Sequence, residues 1–150
     1  MKTNYKVAEV KLSYKGQQDA INRVKISDSK AIYRLLINNW EDDSIEHREC
    51  FKIVLMNRSN AVLGIFTVSE GGISETVVDV RMIMQAAILA NASSIALAHN
   101  HPSGVLTPSW QDDEITRTIK SAAKLLNIAV LDHIIITSTA YYSYSDECRL

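Results

Sequence analysis

Residues 94–112, SIALAHNHPSGVLTPSWQD, constrain the fold of this 150-residue chain more tightly than any other stretch. A short apolar run over 94–98 reads as a strand and leads straight into His99. Residues two apart on a strand share a face, so His99 and His101 point one way and Asn100 the other. Pro102 ends ladder pairing, the chain turns through Gly104, and Ser109 opens a helix. Ser109 as N-cap and Asp112 three residues on make a capping-box-like pair, and the acid complements the helix dipole. The stretch therefore reads as a strand, a turn, and a helix whose first turn can come back to the strand end.

The rest of the chain supplies elements to pack around that turn. Residues 27–40, SDSKAIYRLLINNW, place Ile32, Leu35, Leu36 and Trp40 at helical spacing, with Ser27 or Asp28 as the cap. Residues 6–13 alternate apolar and polar like a strand, and the charged run 41–49 reads as an exposed connection. CFKIVLM (50–56) and AVLGIFTV (61–68), joined by NRSN, predict a β-hairpin, with a glycine-bearing loop at 69–76. Residues 78–92 predict a helix capped by Asp79. A second long helix over Ser109–Asn127 sets Ile115, Ile119, Ala122 and Leu126 on one face. Residues 128–137 form a β-branched run suited to a buried strand, and 140–147 a last strand beside it. Helices interspersed with strands, plus a hairpin, give an α/β (α+β) class with a mixed sheet flanked by helices.

Composition narrows the function classes. A hydrophobic content of 47% with 22% charged residues argues against disorder, and the length suits one domain spanning 1–150. The formal charge of -1 gives no bulk basic field, so charge does not support nucleic-acid binding. The opening MKTNYKVAEVKLSYKG lacks the apolar core of a secretory signal, and no stretch is long enough to span a membrane. Cys50 and Cys148 stand alone, which suits a reducing cytoplasm and argues against a structural thiolate zinc site. A cytoplasmic location is expected.

The pair of histidines turns an ordinary helix start into a candidate for chemistry. Two imidazoles on one strand face can share a metal ion, and the first helical turn can bring the Asp112 carboxylate to the same point. Two nitrogens, one carboxylate oxygen and a place for water make the donor set of a catalytic zinc site, Zn2+ being the expected cofactor. Capping does not compete with this, because each carboxylate and hydroxyl has more than one bonding direction.

His99-x-His101, seven residues, then Ser109-x-x-Asp112 resembles the JAMM signature of the JAB/MPN metalloprotease fold. The wider text, LAHNHPSGVLTPSWQDDEITRTIKSAAKLLNIAVLDHIIIT, looks like the bacterial RadC-like branch. The likeness extends back through FKIVLMNRSNAVLG and VVDVRMIMQAAILANASSIALAHN to cover about residues 45–150, with an N-terminal strand and helix over 1–44. It implies a cytidine-deaminase-like fold with zinc on His99, His101 and Asp112. It also implies an upstream glutamate as general base, best matched by Glu49, and a hydrogen bond from Ser109 to the developing oxyanion. RadC-like proteins usually carry a helix-hairpin-helix region ahead of this domain, and no such motif is evident in the first 45 residues. The resemblance also touches Asp132-His133, read as a supporting polar pair rather than ligands, and Arg81, read as a surface ion-pairing residue. Asn100 is read as orienting the loop, His47 as exposed, and Trp110 as packing rather than lining a groove.

These features imply a zinc-dependent JAMM-type metallopeptidase acting on a peptide or protein substrate. The alternatives are a non-catalytic module binding protein or DNA, and a metal-dependent nuclease in DNA repair. Retention of the complete residue set argues against the first, and the neutral charge against the second.

Overall fold

A computed structural model describes residues 8, 10–16, 20–41, 44–71 and 77–150. Its regular elements are α1 (Ser29–Ile37), β1 (Cys50–Met56), β2 (Val62–Glu70), α2 (Val80–Leu89), β3 (Ser94–Asn100), α3 (Trp110–Leu125), β4 (Ala129–Ile136) and β5 (Tyr141–Ser143). The strands form one sheet in the order β2-β1-β3-β4-β5. β1 is antiparallel to both β2 and β3, β3 is parallel to β4, and β5 returns antiparallel to β4. This is the expected mixed sheet flanked by helices.

Side-chain alternation along the central strands builds two cores. Phe51, Ile53 and Leu55 of β1 and Ile95 and Leu97 of β3 pack with α2 and α3 on one face. Val54 and Met56 with Ala96 and Ala98 pack with α1 on the other. Strands covered on both faces read as unbroken apolar runs, which is why CFKIVLM shows no alternation in sequence. Removing a side chain such as Ile53 or Leu97 from water stabilises the fold by about 1.5–3 kcal/mol.

Local chemistry fixes the element ends. Asp28 and Asp79 cap α1 and α2 by accepting from Ala31 N and Arg81 N. α2 and α3 both finish on an asparagine in the left-handed region, Asn91 (φ 53°) and Asn127 (φ 55°). The next amide bonds back into the last turn in each case, Ala92 N to Ala87 O and Ile128 N to Ala123 O, both 2.9 Å. This is the Schellman arrangement, and it feeds the chain directly into β3 and β4.

Several expectations need correction. The last strand, expected over 140–147, covers only Tyr141–Ser143, because the chain turns over 144–148 with Ser145 N donating to Asp132. Residues 10–13 are exposed and outside any strand, while residues 6, 7 and 9 of that stretch lie outside the described residues. An alternating pattern alone cannot hold a strand without a neighbour to pair with. The connection at 41–49 is not wholly exposed, since Ser44 and Ile45 are buried, Ile45 against α1. β2 runs on through Ser69 and Glu70, residues read as loop, because they pair with Phe51 and Cys50. The buried face of α3 is Asp112, Thr116, Ile119 and Ala123, and Leu126 is 44% exposed. Two of those four are polar, so apolar spacing pointed to a neighbouring stripe. No helix among the described residues is long and apolar enough to cross a membrane.

Candidate metal centre

The site forms where β1, β3 and α3 meet. His99 lies next to last in β3 and is 1% exposed; His101 follows the strand, its amide held by Ile136 O at 3.0 Å. Their Nε2 atoms face each other at 2.9 Å. Asp112, in the first turn of α3, brings Oδ1 to 3.1 Å from His99 Nε2 and Oδ2 to 3.6 Å from His101 Nε2. Glu49 comes from the other side, one residue before β1. Phe51 pairs with His99 across an antiparallel ladder, and continuing that register brings Glu49 level with His101. Glu49, His99 and His101 each offer a ligand atom within 4.8 Å of the others, a group able to hold a metal ion.

Hydrogen bonds behind the rings orient both imidazoles. His101 Nδ1 lies 2.6 Å from Val105 O, and since a carbonyl only accepts, Nδ1 carries the proton. That leaves Nε2 as the inward-facing nitrogen. His99 Nδ1 lies 2.8 Å from His133 Nε2. Phe51 lies parallel to the His99 ring, 6.0 Å between centroids.

Electrostatics favour an ionised carboxylate between the rings. Burial pushes the Asp112 carboxyl up, but the His101 and His99 rings beside it and the Ser109 amide that donates to it outweigh burial and hold the group well below the usual carboxylate range. The Asp112 carboxylate in turn raises the His101 ring above its ordinary value, against the opposing effect of burial. Two inward nitrogens at 2.9 Å repel unless a proton or a cation lies against them. A nitrogen, nitrogen, oxygen donor set with a further carboxylate at hand suits a borderline-soft divalent ion such as zinc. The residues present fit that cofactor.

Ser109 completes a capping box: its hydroxyl donates to Asp112 Oδ2 at 2.8 Å and accepts from Asp112 N at 3.1 Å, while its amide donates to Asp112 Oδ2 at 2.6 Å. The helix start and the cluster are thus one object, with Asp112 serving both.

Asp132 and His133, adjacent in sequence, do separate jobs. Asp132 accepts from Ser143 Oγ, Ser145 N and His133 N, pinning the turn after β5, and its burial raises its carboxyl above the usual range. His133 has no exposure, stacks on Tyr144 at 4.9 Å between centroids, and is driven well below its ordinary value by burial and by His99. Its Nδ1 meets Thr116 Oγ1 at 2.6 Å. Thr116 was not singled out in the sequence; its position four residues after Asp112 on the same helix face was the available signal. Asn100 points away from the cluster and binds the segment carrying Glu49, through Ile45 O, Arg48 O and Cys50 N. Arg81 is an exposed partner of Asp79, and His47 is exposed. Trp110 does not pack: it is 71% exposed at the start of α3, because the buried face of that helix begins at Asp112.

Comparison with known proteins identifies the family of the chain. Residues 26–149 match the RadC-like JAB domain, a span that takes in α1 ahead of the motifs read from sequence. A UPF0758 protein of Flavobacterium johnsoniae is 39% identical over 130 residues, 87% of this chain and 56% of that protein. One from Porphyromonas gingivalis is 40% identical over 131 residues, 87% of this chain and 56% of the relative. One from Symbiobacterium thermophilum is 34% identical over 140 residues, 93% of this chain and 58% of the relative. The chain therefore spans little more than half the length of these relatives. It belongs to the RadC-like JAB domain family.

Proposed function

We propose that this chain is a zinc-dependent hydrolase of the JAMM type that cleaves a peptide or isopeptide bond. The observation that carries the reading is the convergence of His99 Nε2, His101 Nε2 and the Asp112 carboxylate, with the Nδ1 side of each ring committed elsewhere. His99, His101 and Asp112 are the residues that would hold the ion. Bound there, zinc supplies Lewis acidity and makes water acidic enough to react near neutral pH.

The chain's own groups would then divide the remaining work. Glu49, beside His99 and His101 and one residue before β1, would take a proton from the attacking water and return it to the leaving amine. Ser109 steadies Asp112, and its hydroxyl, free to rotate, can donate to the oxygen of the scissile carbonyl instead. Exposed Val105 and Trp110 flank the site on the loop and helix start, offering apolar surface beside the scissile bond.

Elemental analysis of the full chain tests this directly. About one zinc per chain is expected, lost on joint His99→Ala and His101→Ala substitution. Glu49→Gln should keep the zinc and reduce hydrolysis of a fluorogenic peptide or isopeptide library by at least 10²-fold. Asp112→Ala should lose zinc affinity. A chain that takes up no zinc when the ion is supplied sinks the reading, and Glu49→Gln with undiminished turnover removes Glu49 as the base.

A further inference from the structure

We infer that Thr116 and His133 are positioning residues that hold His99 with its proton on Nδ1, so that Nε2 faces the metal centre. The inference rests on the metal-centre reading above, but its hydrogen-bond logic stands on donors and acceptors alone.

The chain of bonds has one consistent polarity. Thr116 Oγ1 lies 2.5 Å from Asp112 O, the carbonyl one turn before it. A carbonyl has no proton to give, so the hydroxyl hydrogen must lie on that line. Thr116 Oγ1 then meets His133 Nδ1, at 2.6 Å, as an acceptor only. His133 Nδ1 must therefore carry the ring proton. The His133 ring has no exposure, and full burial disfavours its charged form, so with the proton on Nδ1 it turns a lone pair on Nε2 towards His99 Nδ1, 2.8 Å away. His99 must donate there. Its remaining nitrogen, Nε2, is the one that faces His101 and Asp112.

The reverse polarity is excluded by the same carbonyl. If the Thr116 hydroxyl donated to His133, His133 Nε2–H would point at His99 Nδ1 and force the His99 proton onto Nε2, occupying the metal-facing position. The relay begins and ends on the cluster itself: it starts at the backbone of Asp112 in α3 and finishes on His99 in β3, with His133 of β4 between them. Phe51 and Tyr144 hold the His133 ring from two sides, at centroid distances of 5.6 Å and 4.9 Å. Outer partners of this kind fix tautomer and ring orientation, and their loss typically costs 10–100-fold in metal affinity.

Thr116→Val removes the hydroxyl while keeping the shape, and Thr116→Ser keeps the hydroxyl. Long-range proton–nitrogen correlation spectra of the metal-free full chain should show protonated Nδ1 on both His99 and His133. In Thr116→Val the His133 proton is expected to move or become mixed between nitrogens, and zinc affinity, measured by chelator competition, to fall roughly 10–100-fold. Thr116→Ser should restore both. Wild-type chain with the proton on His133 Nε2 overturns the proposal, as does Thr116→Val with unchanged tautomers and zinc affinity. So does a Thr116→Ser variant as weak as the valine variant, since that would make the residue a packing element. A wild-type chain that shows the assigned tautomers, shifted in Thr116→Val, yet binds no zinc supports the relay and defeats the metal reading instead.

Discussion

Asn100 sits between two histidines yet makes all its contacts on the opposite face. Its amide donates to Ile45 O at 2.7 Å and Arg48 O at 2.8 Å, and its oxygen accepts from Cys50 N at 2.8 Å, with no exposure of the side chain. One side chain thus ties β3, which carries His99, to the irregular segment that delivers Glu49. Asn100→Ala strands buried backbone groups without partners and is expected to cost about 2–3 kcal/mol in urea unfolding. Asn100→Asp should not rescue it, because a carboxylate would face the two carbonyls that the amide now serves. A loss below about 0.5 kcal/mol for the alanine variant would show that water replaces the clamp.

Among the elements, the asparagine stops of α2 and α3 show how a single residue redirects the chain. Asn127 adopts a φ of 55°, which a side chain branched at Cβ resists and glycine accepts. Asn127→Val should lower stability by about 1–2 kcal/mol, while Asn127→Gly should be neutral or slightly stabilising, both read by thermal or urea unfolding. Equal stability of the two variants would mean the turn relaxes and the left-handed residue is not required. α3 carries a second lesson. Its inner face spends two positions on Asp112 and Thr116, one at the cluster and one in the relay, so the helix gives up apolar burial where it meets the site.

The whole molecule brings the cluster together from three segments: Glu49 ahead of β1, His99 and His101 at the end of β3, and Asp112 in α3. An ion held there binds the folded chain and not the unfolded one, so it must stabilise the fold by mass action. At free zinc 100-fold above the dissociation constant, the gain is about 2.7 kcal/mol. For a chain of this size that corresponds to a rise of roughly 5–10 °C in Tm. Calorimetry with and without zinc should show the rise in the wild type, its reversal by chelator, and its absence in His101→Ala. A Tm that zinc leaves unchanged in both would mean that these segments do not share an ion.

What the sequence determined by itself is local. The hairpin around Asn57–Asn60, the caps at Asp28, Asp79 and Ser109, and the common face of His99 and His101 follow from neighbours a few residues apart. Backbone geometry at that range allows few outcomes. Tertiary structure alone decided what lies behind the histidines. His133 reaches His99 only because β4 lies parallel to β3 in a register that sets His99 beside Ile135, and Thr116 reaches His133 only because α3 crosses between those strands. It likewise decided that Asp132 serves Ser143 and Ser145 instead of its neighbour's ring, that Ile45 is buried, and that Trp110 is not. Such pairings depend on strand order and register, which are set by burying both faces of the sheet at once, and no short window of sequence contains that constraint.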